Sequence, residues 1–330
     1  MLYLTKMGFV MTLLVASLGG EHVKIGPCVL VIKPTCPDPT IKFYLYTRLN
    51  KFDPDIVTVE NITNSKFQPA QPNKLIVHGF NSNWKLSQLQ QIKNEYIENA
   101  DVNVWMIDYA LLSAGPLVCY PAAVYNLPSV GKCATDMVKA ILEHSEAIDP
   151  ADKMHLLGFS LGAHLTSQIS FQLAPTRLSR ITGLDPALPL FYSWNRNRQL
   201  SKADADFVDV VHTNALVEGQ LKPSGHVDFY VNGGTSQPAC VNASNPIKCN
   251  HHMAPEYFAE SINTEKGFWA WECSNVSDYY DGKCPPKGKP RLMGEFCKTN
   301  SSGLYVLNTE KKPPYAKGKW SEVQSAEYFF

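Results

Sequence analysis

The sequence predicts an α/β fold: one domain built on a central, mostly parallel sheet with helices on both faces. Three observations carry this. Between residues 74 and 184, short apolar β-type runs alternate with longer helical stretches, a pattern that calls for parallel strands joined by crossover helices. Three of those runs end in residues able to do chemistry, namely His78-Gly79, Asp108 and Ser160. A parallel sheet presents its sites beyond the carboxyl ends of its strands. The length, 330 residues, is ample for one large domain and short for two.

Taken in order, the chain opens with Lys6 and an apolar core of eleven residues, Gly8 to Leu18, followed by Gly19-Gly20. A basic start, a short apolar core and small residues behind it describe a secretory signal peptide over residues 1–20. Such a core is too short to span a bilayer. No later run approaches eighteen apolar residues, so the expectation is a secreted, extracellular chain with no transmembrane segment. Net charge is zero and charged residues make up 18%; no basic run points to nucleic acid. All nine cysteines lie after residue 20, as an oxidising compartment would favour. An odd number leaves one thiol over. Cys133 is the candidate, because it falls on the apolar stripe Val130, Cys133, Ala134, Met137, Val138, Ile141, Leu142, the core face of a helix. Asn61, Asn242, Asn275 and Asn300 head glycosylation sequons.

Residues 21–70 read as strands and loops, with Ile41 to Thr47 one strand. Lys74 to His78 is a buried strand leading into Gly79-Phe80. Leu86, Leu89, Ile92 and Tyr96 mark an amphipathic helix, and Val102 to Ile107 the next strand. A helix over 129–147 follows. Met154 to Leu157 is a strand that turns at Ser160 into a helix over Leu161 to Leu173. The turn is Gly158-Phe-Ser-Leu-Gly162. A Cβ on either flank would collide with so tight a turn, which is the reason for Gly-x-Ser-x-Gly, the nucleophile elbow of α/β-hydrolases. Ser160 is the expected nucleophile. The backbone amides of Leu161, opening the helix, and of Phe80, after the early strand, are the expected oxyanion donors.

The next apolar run, Arg180 to Leu184, ends in Asp185-Pro186, where the acid of a triad belongs. Asp206, Asp209 and Asp228 are rivals; the last two lie within strand-like runs. The order in this fold is serine, acid, histidine, so His212, His226, His251 and His252 remain. His212 and His226 sit in strands and read as structural, as does His164 on the elbow helix. His251 follows Cys249-Asn250 on a loop tied down by a cysteine, ahead of a helix over Pro255 to Ile262. It is preferred, with His252 the alternative.

These residues together resemble the animal pancreatic-lipase family of secreted lipases, and within it the insect phospholipase A1 branch. The resemblance rests on His78-Gly-Phe80, Gly158 to His164, Gly183-Leu-Asp-Pro-Ala187, Phe207 to Thr213, Gly225 to Phe229, Asn232-Gly-Gly234 and Cys249-Asn-His251. It implies a Ser160, Asp185, His251 triad, oxyanion amides at Phe80 and Leu161, no cofactor, and a lipid-ester substrate met at a membrane or micelle surface. It also implies that Cys240 and Cys249 close a lid, here only eight residues long. The family's triglyceride lipases carry a much longer one. The wall segment Asn214 to Ser224 is short too. A short lid and wall are the family's phospholipase A1 pattern, so the expected reaction is hydrolysis of the sn-1 ester of phospholipids. Triacylglycerol lipase and galactolipase are alternatives, and a non-catalytic yolk-type protein a more distant one. A glycan on Asn242 would stand at the mouth of the site.

Two departures from the family are visible. Around the loop that often binds calcium, only Asp204 matches an acidic position, while Arg196 and Ser201 stand where carboxylates would be; no metal is expected. The family's C-terminal β-sandwich is not expected either. Cys273 could pair with Cys284 or Cys297, and Cys28 or Cys36 with Cys119.

Overall fold

The computed structural model describes residues 16–18, 22–146, 153–191 and 199–320. Most of the expected signal peptide, Arg196 and Ala147 lie outside these residues. An antiparallel ribbon comes first, made of β1 (Ala16–Leu18), β2 (His22–Ile25) and β3 (Cys28–Val31). The body follows in chain order as β4 (Lys42–Tyr46), β5 (Asp55–Val57), β6 (Asn73–Val77), α1 (Ser87–Asn99), β7 (Asn103–Asp108), α2 (Ala110–Ser113) and α3 (Tyr120–Glu143). Next come β8 (Met154–Phe159), α4 (Leu161–Leu173), β9 (Leu178–Leu184), β10 (Ala205–His212), β11 (Val227–Val231) and α5 (Pro246–Ser261). β12 (Phe268–Glu272), α6 (Val276–Tyr280), β13 (Arg291–Met293) and β14 (Gly303–Leu307) complete it.

The main sheet has eleven strands in the order β13-β12-β14-β11-β10-β9-β8-β6-β7-β4-β5. From β14 across to β7 every pairing is parallel. Antiparallel strands extend both edges. Buried central strands carry apolar side chains on both faces. Leu75, Val77 and Leu156 pack beneath α3 and α4 with Val130, Met137 and Leu165. Ile76, Leu157 and Phe159 pack on the opposite face with Leu89, Ile92, Tyr96 of α1 and Tyr257, Phe258 of α5. The period-2 alternation of the strands thus feeds two cores. Among the described residues no helix is long and apolar enough to cross a membrane.

Two helices depart from expectation. α3 begins at Tyr120 rather than Ser129 and runs through Pro128. An interior proline costs about 3 kcal/mol, but the added turns bury Tyr120, Ala123 and Leu127. α5 begins at Pro246 rather than Pro255, with Asn245 Oδ1 accepting from the Lys248 amide at 3.0 Å. His251 therefore rides a helix and not a loop. The cysteine assignment also changes. Cys28–Cys119, Cys36–Cys133, Cys240–Cys249 and Cys273–Cys284 are bonded, and the free thiol is Cys297. Cys133 does sit on the buried stripe, yet its partner lies 97 residues away, where helical spacing carries no information. Burial pushes the Cys297 thiol up to about 12, so it is inert as a nucleophile.

On the α1/α5 face lies a polar cluster. Lys74 Nζ is 2.7 Å from Glu295 Oε1, and the Tyr96 hydroxyl donates to Glu295 Oε2 at 2.5 Å. Arg180 grips Asp209 with two bonds, at 2.8 and 2.9 Å. This gives Asp209 a structural role. Burial pushes the Glu295 carboxyl up, but Lys74 and Arg180 outweigh it and hold it below the ordinary range. A depressed carboxyl contributes stability above its unfolded value and loses it as pH falls through the folded one. Glu295→Gln strands the Lys74 ammonium and is expected to cost about 3 kcal/mol at pH 7. Urea unfolding should show that difference narrowing as pH falls below 4; a flat difference would mean that packing, not charge, is responsible.

Candidate active site

Ser160 stands at the apex between β8 and α4 with φ 56° and ψ −120°, a strained conformation for a non-glycine residue. The flanking glycines are sterically required. A Cβ at 158 would lie 2.5 Å from the Ala163 Cα, and one at 162 would lie 2.4 Å from the Val77 carbonyl oxygen. The apex is strapped to the end of β9: the Ser160 amide donates to Leu184 O at 2.9 Å, and the Ala187 amide donates to Ser160 O at 3.2 Å. Asp185 follows directly, itself at φ 45°.

The Asp185 carboxylate is fully buried. Its Oδ1 accepts from the amides of Thr213 and Asn214 at 2.9 and 3.1 Å. Its Oδ2 lies 2.5 Å from His251 Nδ1. An ionised carboxylate only accepts, so Nδ1 carries the proton and Nε2 keeps its lone pair. The imidazole packs against Phe159, next to the serine, with ring centroids 4.7 Å apart. His252 makes no bond to Asp185. It meets Phe159 edge-on at 5.3 Å and faces outward.

The loop after β6 lies over the serine. A Cβ at Gly79 would sit 3.3 Å from Ser160 Oγ, so only glycine admits the backbone there. His78 Nδ1 donates to Gly79 O at 2.9 Å, its Nε2 accepts from the Tyr109 amide at 3.1 Å, and the Tyr109 hydroxyl donates to His78 O at 2.5 Å. In a planar trans peptide the N–H points opposite to the carbonyl, so anchoring Gly79 O also orients the Phe80 amide. The Leu161 amide belongs to the first turn of α4, where no preceding carbonyl accepts it. Sequence reasoning missed the His78–Tyr109 support; its one signal was the position of both residues just past strand ends.

The rival residues lie elsewhere. His212 pairs with Asp228 at 2.9 Å, and His226 Nδ1 accepts from the Val208 amide at 2.9 Å. Asp206 forms an exposed pair with Arg177. His164 is buried between Ala187 O and the Leu200 amide, and burial pushes it down to about 4. Asp204 Oδ2 accepts from the Ser201 amide at 2.7 Å. Among the described residues no group of His, Cys, Asp and Glu could hold a metal ion. Sequence reasoning also missed Gly219, whose absent Cβ leaves the space that the Asp185 carboxylate occupies, 2.4 Å away. A lone glycine in the wall segment carried no signal for it.

The rim is apolar. Val241 and Ile247 of the Cys240–Cys249 loop, Leu216 of the wall, Leu190, and Leu117 and Val118 before α3 are all exposed, Leu117 by 80%. The loops that carry them are tied together beside the site. Asn214 Nδ2 donates to Ile247 O, the Leu188 amide to Glu218 O, and Tyr120 Oη to Pro189 O. Of the sequon asparagines, Asn242, Asn275 and Asn300 are exposed. Asn61 is half-buried, its Oδ1 accepting from the Thr58 amide.

The elbow, the buried acid and the imidazole at one edge of a mostly parallel sheet define an α/β-hydrolase of the carboxylic-ester type. The chain belongs to the Lipase family, whose family model matches residues 29–315. It is 31% identical to pancreatic lipase-related protein 2 of Cavia porcellus, over 88% of this chain and 69% of that protein. It is 31% identical to inactive pancreatic lipase-related protein 1 of Homo sapiens, over 88% and 68%. To pancreatic triacylglycerol lipase of Sus scrofa it is 30% identical, over 88% and 70%.

Proposed function

We propose that this protein is a secreted phospholipase A1 that cleaves the sn-1 acyl ester of phospholipids at a lipid surface. The observation that carries the chemistry is the 2.5 Å contact between Asp185 and His251, whose imidazole packs on Phe159, the residue before Ser160. His251 Nε2 takes the Ser160 proton while Asp185 steadies the imidazolium. Ser160 Oγ attacks the ester carbonyl, and the Phe80 and Leu161 amides receive the oxyanion. His251 returns the proton to the leaving glycerol oxygen and lysophospholipid departs. Water then attacks the acyl-enzyme with His251 as base, releasing the fatty acid. One oxyanion donor of this kind is worth about 3 kcal/mol. No cofactor takes part. The apolar rim supports a substrate met at a membrane or micelle surface, and four disulfides support export.

The Cys240–Cys249 loop, acting as the lid, supports the phospholipid reading. With a sequence separation of 9 it is too short to fold far over the mouth, which leaves room there for a headgroup. The relative named as a triacylglycerol lipase favours the second reading, a neutral lipase. The test is a rate comparison on phosphatidylcholine carrying different acyl chains at sn-1 and sn-2 and on a long-chain triglyceride. The sn-1 acid should be released first, and faster than any acid from triglyceride. Faster triglyceride turnover would overturn the phospholipase assignment. Peptide mass mapping of exported protein is expected to find a glycan on Asn242; a bare Asn242 removes the glycan from the lid.

A further inference from the structure

A cavity of about 390 Å³ opens between the Cys240–Cys249 loop, the first turn of α1 and the outer face of α5, beside the site. That is within the usual range for small-molecule sites, about 300–1,000 Å³. Its charged lining is ordered. Lys248, His252 and Glu256 recur every four residues along α5, so they share one face at about 6 Å per step. The cationic end is Lys248, with the neutral His252, the residue after His251, one turn farther along. The acidic end, Glu256, lies one turn farther along the helix, hydrogen-bonded to the Gln88 side chain, with Tyr315 in the same lining. Among the described residues neither Lys248 nor Glu256 forms an ion pair, and the relay uses none of these groups.

We propose that this cavity is the headgroup subsite for a zwitterionic phospholipid, Lys248 and His252 facing the phosphate and Glu256 with Tyr315 facing the terminal ammonium. This rests on the phospholipase reading. The order of charges matches the order of groups in the substrate: the phosphate is nearer the sn-1 ester than the ammonium is. Tyr315 offers a ring face to a quaternary cation. Burial, then the neighbouring His251 and Lys248, push His252 down to about 4. It is neutral at pH 7 and can donate a hydrogen bond to a phosphate oxygen.

The test compares phosphatidylcholine with phosphatidylglycerol of the same acyl chains, in mixed micelles, for the parent, Glu256→Gln and Lys248→Ala. Glu256→Gln is expected to raise the KM ratio of phosphatidylcholine to phosphatidylglycerol about tenfold, because only the former carries an ammonium. Lys248→Ala is expected to raise both KM values and leave the ratio within twofold. An unchanged ratio in Glu256→Gln, with thermal midpoints equal to the parent's, overturns the subsite while phospholipase activity stands. A parent that cleaves triglyceride and neither phospholipid overturns the phospholipase reading, and the subsite falls with it.

Discussion

Ser160→Ala loses ester hydrolysis by about 10⁵–10⁶-fold in kcat, the size of effect seen when a relay nucleophile is removed, and the variant still folds. The expectation of folding comes from the bonds around the elbow. The straps to Leu184 O and from the Ala187 amide are main-chain bonds, and alanine retains them. The two flanking glycines, not the hydroxyl, relieve the turn. A serine-directed organophosphonate should label the parent on the peptide containing residue 160 and leave the variant unlabelled. Parent-level turnover in the variant would remove Ser160 from the chemistry.

Gly219→Ala is expected to reduce kcat by about 10²–10⁴-fold, approaching the roughly 10⁴-fold loss when the acid of such a relay is neutralised. Residue 219 touches no substrate in the proposed mechanism. Its new methyl would fall 2.4 Å from Asp185 Oδ1 and 2.6 Å from both Cγ and Oδ2. The wall cannot readily retreat, because the Gly219 amide donates to Asn214 O and the Gln220 amide to Pro186 O. The carboxylate must move instead, giving up the Thr213 and Asn214 amides and its bond to His251. Nδ1 then loses its acceptor and the tautomer is no longer held. Labelling of Ser160 should slow in parallel with turnover, while the thermal midpoint shifts by only a few degrees. Undiminished turnover would show that the relay tolerates a displaced carboxylate.

Much of this arrangement was legible in the chain itself. The elbow could be read because its constraint is local: a strand, a sharp turn and a helix within about twenty residues, with glycine the residue that fits on either side. Asp185 was legible as the end of an apolar run closed by proline. The extent of α5 was not, because Pro255 reads as a start signal while its tolerance inside the helix depends on what Met253, Tyr257 and Phe258 bury. Cys133 misled for a similar reason. A thiol on a core stripe and a half-disulfide on the same stripe have one pattern, and only the fold brings Cys36 to it.

The sequence by itself determined the α/β architecture and the sharp strand-to-helix turn with Ser160 at its apex, because period and turn sterics act over short stretches. Tertiary structure showed which histidine meets the buried acid: His251 contacts Asp185 and His252 does not, although they are neighbours on one helix. It also decided that Asp209 serves Arg180, and that a glycine in a distant loop makes room for the Asp185 carboxylate. Those outcomes depend on which side chains meet across the sheet, and a contact between residues far apart in the chain leaves no periodic trace in either one.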